Sequence, residues 1–255
     1  MHGCEGEILK YGDDVFQSVT VFPPFSSSKR LPWFIYIHGG AWVDPNQDKT
    51  MGYSLIQNTV PNEWGAASIN YRLSPSVQHP THLQDIFDAI AMISRLYNVS
   101  NFLIVGHSAG ACLALQFLKK ISEFSQSYDT NLQIPEISAI VCVEGIYDLV
   151  ELYSEYPNYL YFIEKAFGDC HEDWRRASPC HFDWDKIRQF SQAKIFLVQS
   201  LQDELLSMRQ VLLMKEILQS GGCDCEFHTI NGGSHDETVQ SEALASLFQR
   251  LIKES

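Results

Sequence analysis

The chain has 255 residues, 45% of them hydrophobic, and its 31 acidic against 18 basic side chains give a formal charge of −13. This length and apolar content suit one large globular domain with a substantial core. The acidity leaves no basic stripe to neutralise phosphates, which argues against a nucleic-acid partner, and no run of 18 apolar residues exists to cross a membrane.

Met1 to Phe16 carries charges and glycines without an apolar stretch, so no secretory signal is read there and a cytoplasmic location is expected. Phe16 to Phe22 alternates apolar and polar residues and reads as an edge strand, ended by Pro23-Pro24. Pro32 to Ile37 is nearly continuous in apolar side chains, the pattern of a strand covered on both faces. The turn His38-Gly39-Gly40-Ala41-Trp42 follows it directly, and Ala66 to Tyr71 gives another strand. Between Leu83 and Tyr97, residues Ile86, Ile90, Ile93 and Leu96 recur at helical spacing.

The apolar run Asn101 to Val105 leads into Gly106-His107-Ser108-Ala109-Gly110, after which Cys112, Leu115, Phe117 and Leu118 continue as a helix. Ile137 to Val143, Lys194 to Val198 and Glu226 to Ile230 read as strands, and Met208 to Leu218 and Asp236 to Ile252 as helices. The alternation predicts an α/β fold: a single domain over 1–255, with a mostly parallel central sheet and helices on both faces. Residues 147–185 break the alternation and are rich in aromatics, among them Tyr147, Tyr153, Tyr156, Tyr159, Tyr161, Phe162, Trp174 and Trp184. They read as a helical cap inserted over the C-terminal edge of the sheet, where ligands of open α/β sheets bind. The same aromatics also suit a homodimer interface.

Seven cysteines, an odd number, give no disulfide framework. The cluster Cys170, His171, Cys180 and His181 matches no zinc spacing, so neither a metal nor a cofactor is expected.

Ser108 carries the chemistry. A strand that stops at a serine where a helix starts must turn sharply, and the flanking glycines let strand and helix approach while Oγ stays exposed. A serine hydroxyl attacks near neutral pH only if a base removes its proton, and that base needs an orienting carboxylate. In chain order the acid and base should follow Ser108, each beyond a strand end. Asp203, after the strand ending near Gln199, fits the acid; its neighbour Glu204 and the earlier Asp148 are rivals. His235, after Asn231-Gly232-Gly233, fits the base, because His228 lies within its strand. Gly39 and Gly40, with the N–H of Ala109, are placed to hold a developing oxyanion. A base of this kind must be neutral, so activity is expected to fall as pH drops through about 6–7.

These residues resemble the α/β-hydrolase superfamily, in its branch related to hormone-sensitive lipase, which shares the His-Gly-Gly turn and a Tyr-Arg-Leu-x-Pro segment, here Tyr71-Arg72-Leu73-Ser74-Pro75. More narrowly, His38-Gly39-Gly40-Ala41-Trp42, Glu144-Gly145-Ile146-Tyr147-Asp148-Leu149 and Asp203-Glu204-Leu205-Leu206 are similar to fungal kynurenine formamidases (arylformamidases). The resemblance implies a small-molecule substrate, N-formyl-L-kynurenine, cleaved to L-kynurenine and formate in tryptophan breakdown and NAD synthesis. It places nucleophile, acid and base on Ser108, Asp203 and His235, and oxyanion donors on Gly39, Gly40 and Ala109. On this reading Trp42 walls a pocket small enough for a formyl group, and the aromatic insertion, including Tyr147, stacks on the aryl ring. Arg72, Arg175 and Arg176 are candidates for the substrate carboxylate. The short N-terminal region implies one or two fewer edge strands than the wider branch. A general short-chain carboxylesterase and a non-catalytic binding protein on the same scaffold remain alternatives.

Overall fold

Successive side chains of strand β3 (Leu31–Ile37) enter two different cores, which explains its unbroken apolar run. Trp33, Ile35 and Ile37 pack on one face of the sheet, and Phe34 and Tyr36 on the other. The computed structural model describes residues 6–25, 29–124 and 134–254. Together with β1 (Glu7–Lys10), β2 (Ser18–Phe22), β4 (Gly65–Ile69), β5 (Val99–His107), β6 (Glu136–Val143), β7 (Lys194–Ser200) and β8 (Cys225–Ile230), β3 forms an eight-stranded sheet ordered β1-β2-β4-β3-β5-β6-β7-β8. Pairings from β4 through β8 are parallel, while β1–β2 and β2–β4 are antiparallel.

The N-terminal expectation is corrected here. Phe16 to Phe22 is not an edge: β2 is buried along its whole length between β1 and β4, and β1 is the edge strand on that side. Strand β1 was illegible because its four residues, Glu7-Ile8-Leu9-Lys10, are mostly exposed and too few to display a period.

Helix α1 (Tyr53–Thr59) joins β3 to β4, α2 (Thr81–Leu96) joins β4 to β5, and α3 (Ala109–Phe124) leads from β5 towards β6. Between β6 and β7 the aromatic segment folds as four short helices, α4 (Leu149–Glu155), α5 (Leu160–Phe167), α6 (His171–Ala177) and α7 (Trp184–Phe190). Helix α8 (Met208–Ser220) connects β7 to β8, and α9 (Glu242–Glu254) follows β8. One face of the sheet is covered by α2, α3 and α8 with the inserted helices, the other by α1 and α9, where Phe248 meets Phe34 edge-on at 5.6 Å. The last helix starts later than its apolar pattern suggests. A short 3-10 turn at Thr238–Gln240 intervenes, and the Ser241 hydroxyl then accepts from the N–H of Leu244 and caps a new start. No helix among the described residues is long and apolar enough to cross a membrane.

Candidate active site

Strand β5 ends at His107, and Ser108 adopts φ 54°, the left-handed conformation that a non-glycine residue occupies only when its surroundings enforce it. Neighbouring elements do so: the Ser108 N–H donates to the Val143 carbonyl at 2.9 Å, and its own carbonyl accepts from Ala111 at 3.1 Å. A Cβ at Gly106 would collide with the Gly110 backbone, and one at Gly110 with the Ile37 carbonyl. The two glycines of the pentapeptide are therefore packing requirements between β5, α3 and β3.

Asp203 stands beyond the C-terminal end of β7, and its four hydrogen bonds fix it. Oδ1 accepts from the N–H groups of Leu205 and Leu206 at 2.9 Å each. Oδ2 lies 3.0 Å from His235 Nδ1 and accepts from Gln199 Nε2 at 2.7 Å. Burial works to raise this carboxyl's pKa, but the hydrogen bond and charge of His235 and the two backbone donors overcome it and hold it below the usual value. His235, 4% exposed, is pinned at its backbone as well: its N–H donates to Glu204 Oε2 at 3.0 Å, and its carbonyl lies 3.1 Å from His107 Nε2. With Nδ1 on Asp203, Nε2 is the other ring nitrogen of a histidine that borders the same cavity as Ser108. The rival carboxylates are engaged elsewhere. Glu204 holds the His235 backbone, and Asp148 caps α4 and pairs with His181 at 2.9 Å.

The His-Gly-Gly turn takes positive φ at three successive residues, Gly40 (φ 88°), which adopts it freely, and Ala41 (φ 49°) and Trp42 (φ 61°), which are strained by it. Tyr71 explains how it is held: its hydroxyl donates towards the carbonyls of His38 and Gly39, at 3.1 and 3.0 Å, and its ring stacks on His38 at 4.3 Å. Gly39 lies directly against Ser108, since a Cβ there would sit 3.0 Å from Ser108 Cβ. Ala109 is the first residue of α3, so its N–H has no acceptor within the helix.

Ser108 and His235 open onto one cavity of about 230 Å³, lined also by Gly40, Ala41, Val43, Asp44, Gln47, Ile146, Tyr159, Tyr161, Phe162, Leu205, Leu206 and Asp236. A larger hollow of about 410 Å³ between α2, α3 and α6 holds none of the reactive groups. Two sequence expectations are corrected. Trp42 is fully buried behind the wall, against Phe167 (4.8 Å) and Phe162 (6.4 Å), and Tyr147 is fully buried too; neither lines the cavity. The arginines are also absent from its lining. Arg72 forms an ion pair with the buried Asp85, and Arg176 pairs with Glu172 and Asp173 on its own helix. Tyr159, Tyr161 and Phe162, named among the aromatics of the insertion, do line the cavity, whereas sequence reasoning passed over Asp44 and Gln47, which no fixed spacing from Ser108 could reveal.

It gave no role of its own to Glu144, the first residue beyond β6, fully buried and with φ 48°. Its signal was present: an acidic residue directly after the apolar run Ala139 to Val143. One donor atom each of His107, Glu144 and His235 lies within 4.8 Å of the others. The facing atoms His107 Nε2, Glu144 Oε2 and His235 Nδ1 are engaged in hydrogen bonds within the protein, so the group reads as a polar cluster rather than a cation cage.

The strand order, the strained serine on the turn between β5 and α3, and the acid and histidine beyond β7 and β8 define an α/β-hydrolase. The BD-FAE family model matches residues 19–218. Kynurenine formamidase of Meyerozyma guilliermondii is 36% identical over 96% of this chain and 93% of its own, and that of Scheffersomyces stipitis 28% identical over 94% and 96%. Among solved structures, esterase B from Lactobacillus rhamnosis superposes with a TM-score of 0.76 at 16% identity, covering 98% of this chain and 84% of its own. The chain belongs to the kynurenine formamidase family.

Proposed function

We propose that this protein hydrolyses the formamide of N-formyl-L-kynurenine to L-kynurenine and formate. The observation that carries the reading is the close likeness to fungal kynurenine formamidases along nearly the whole chain, joined to a cavity that unites Ser108 with the Asp203–His235 pair. Ser108 Oγ attacks the formyl carbon as His235 Nε2 takes its proton. Asp203 keeps the Nδ1 proton in place and stabilises the imidazolium. The N–H groups of Gly39, Gly40 and Ala109 receive the oxyanion, a contribution of about 10²–10³ in turnover per donor. His235 returns its proton to the departing arylamine, and a water activated by the same imidazole releases formate from the formyl-serine.

The cavity supports the choice of substrate. At about 230 Å³ it sits below the usual range for ligand sites, roughly 300–1,000 Å³, and favours a compact acyl group over long chains. Tyr159, Tyr161 and Phe162 supply aromatic surface for an aryl leaving group, and the inserted helices that carry them act as a cap. The described lining also holds Asp44 and Asp236 but no Lys or Arg, and Gln47 Oε1 is buried without a hydrogen-bond partner. That set fits the ammonium of the amino-acid moiety, with its carboxylate directed to the cavity mouth.

The test is steady-state turnover of N-formyl-L-kynurenine, followed by kynurenine absorbance, for wild type and Ser108→Ala. Efficient turnover abolished by the substitution is expected. A wild type that cleaves nitrophenyl acetate yet ignores the formamide would instead make it a general esterase.

A further inference from the structure

Two carboxyl groups face His235 Nδ1, and the proposed reaction uses one. Glu144 Oε2 lies 3.7 Å from Nδ1, behind Asp203 Oδ2 at 3.0 Å. Glu144 is fully buried, and its other contacts allow its hydrogens to be counted. The Thr238 hydroxyl is 3.1 Å from the Ser234 carbonyl and 3.0 Å from Glu144 Oε1. One hydroxyl hydrogen serves both only as a shared, weaker bond. The Ser234 carbonyl can only accept, whereas a carboxylic acid can donate, so a protonated Glu144 gives each contact a hydrogen of its own and an ionised one leaves the two sharing. His107 is consistent with this. Its Nε2 faces the His235 carbonyl at 3.1 Å and Glu144 Oε2 at 3.3 Å, two acceptors, while its Nδ1 is buried without a partner. That pattern belongs to a neutral imidazole with its hydrogen on Nε2. Asp203 already accepts four hydrogen bonds and is built to carry the charge.

We propose that Glu144 is a positioning residue that works as a neutral acid, clamping the 234–238 loop through Thr238 and His107 without adding a second negative charge beside His235. The electrostatics agree. Burial, then the neighbouring Asp203 carboxylate and more weakly Glu204, push the Glu144 carboxyl up to about 9 against the opposing hydrogen bonds from Thr238 and the Ser200 backbone. The titratable groups around it are His107 from β5, Asp203 and Glu204 from the loop after β7, His235 from the loop after β8, and Tyr36 from β3. Burial holds His107 well below the ordinary histidine value, and the nearby His235 adds to that, so no cation compensates an ionised Glu144 from that side.

The inference rests on His235 being the base of the proposed reaction. The experiment is the pH profile of kcat/KM for wild type, Glu144→Gln, Glu144→Ala and His235→Ala, each with N-formyl-L-kynurenine and with nitrophenyl acetate. Glutamine keeps the shape and the donor of the neutral acid. The Glu144→Gln variant should hold its plateau rate within about threefold of wild type and leave the midpoint of the acid limb unmoved, while Glu144→Ala loses about tenfold or more. Were Glu144 ionised in the wild type, glutamine would remove a charge 3.7 Å from Nδ1 and drop that midpoint by more than about one unit. Such a drop overturns the inference, as does a Glu144→Gln variant as impaired as Glu144→Ala. Turnover surviving in His235→Ala overturns the shared reading of the base. Loss of the formamide activity alone leaves the Glu144 comparison readable on the ester.

Discussion

At Asp44 the acidic lining of the cavity can be tested one charge at a time. Its side chain lines the same space as Asp236 and Gln47, and no cationic side chain among the described lining residues balances the pair. A cavity lined by carboxylates without a balancing Lys or Arg favours a cationic group, and a charge-assisted hydrogen bond to an ammonium contributes about 1.5–3 kcal/mol. Asp44→Asn should therefore raise KM for N-formyl-L-kynurenine by about tenfold with a smaller change in kcat, and leave the uncharged nitrophenyl acetate almost unaffected. Equal losses on both substrates would place Asp44 in support of the Gly40 turn instead, whose carbonyl accepts from the Asp44 N–H at 2.9 Å.

Between elements, the site depends on how closely α3 approaches β3 and β5. Gly110 lies in the first turn of α3, and the Ile37 carbonyl occupies the place where a Cβ would go. Backbone on both sides cannot give way as a flexible side chain can. Gly110→Ala must therefore move α3 or β3, and with them Ser108 at one end and the Gly39–Gly40 turn at the other. Overpacking of this kind costs about 1–3 kcal/mol. A fall in the thermal midpoint together with a loss of turnover is expected. An alanine variant matching wild type in both would show that the two elements are not rigidly apposed.

For the whole molecule, buried neutral histidines set the response to acid. Burial is the main cause holding His38 and His82 at about 4, and both are almost wholly enclosed. Below about 6.5 the unfolded chain takes up protons that these folded sites refuse, so their stabilisation is complete above that pH and is lost as pH falls towards about 4. The loss is on the order of 3 kcal/mol for each histidine. Glu144, raised to about 9, works in the opposite direction, stabilising the fold as pH falls from 9, and partly masks the effect in the wild type. The contribution is best isolated by thermal midpoints of wild type and His82→Gln. Its glutamine can still donate to Ser74 Oγ, which lies 3.0 Å from His82 Nε2. The variant should lose less stability between pH 6.5 and 4.5, and parallel curves would rule His82 out.

Local chemistry determined what the chain could reveal on its own. The abrupt passage from the run Asn101 to Val105 into Gly-His-Ser-Ala-Gly marked the turn at Ser108, since only small flanking residues permit it, and apolar runs bounded by turns marked the parallel strands. The positions of Asp203 and His235 beyond β7 and β8 followed from those strands, because parallel strands bring their C-terminal ends to one edge. The cavity wall was decided by tertiary structure. Trp42 and Tyr147 are large aromatics next to motif residues, yet packing turns both into the core and presents Tyr159, Tyr161 and Phe162 in their place. Arg72 had a buried partner, Asp85, contributed by a helix 13 residues further on. The proton on Glu144 is the clearest case. A carboxyl's charge depends on what surrounds it, and His107, Thr238, Asp203 and His235 arrive from separate parts of the chain only when the sheet has formed.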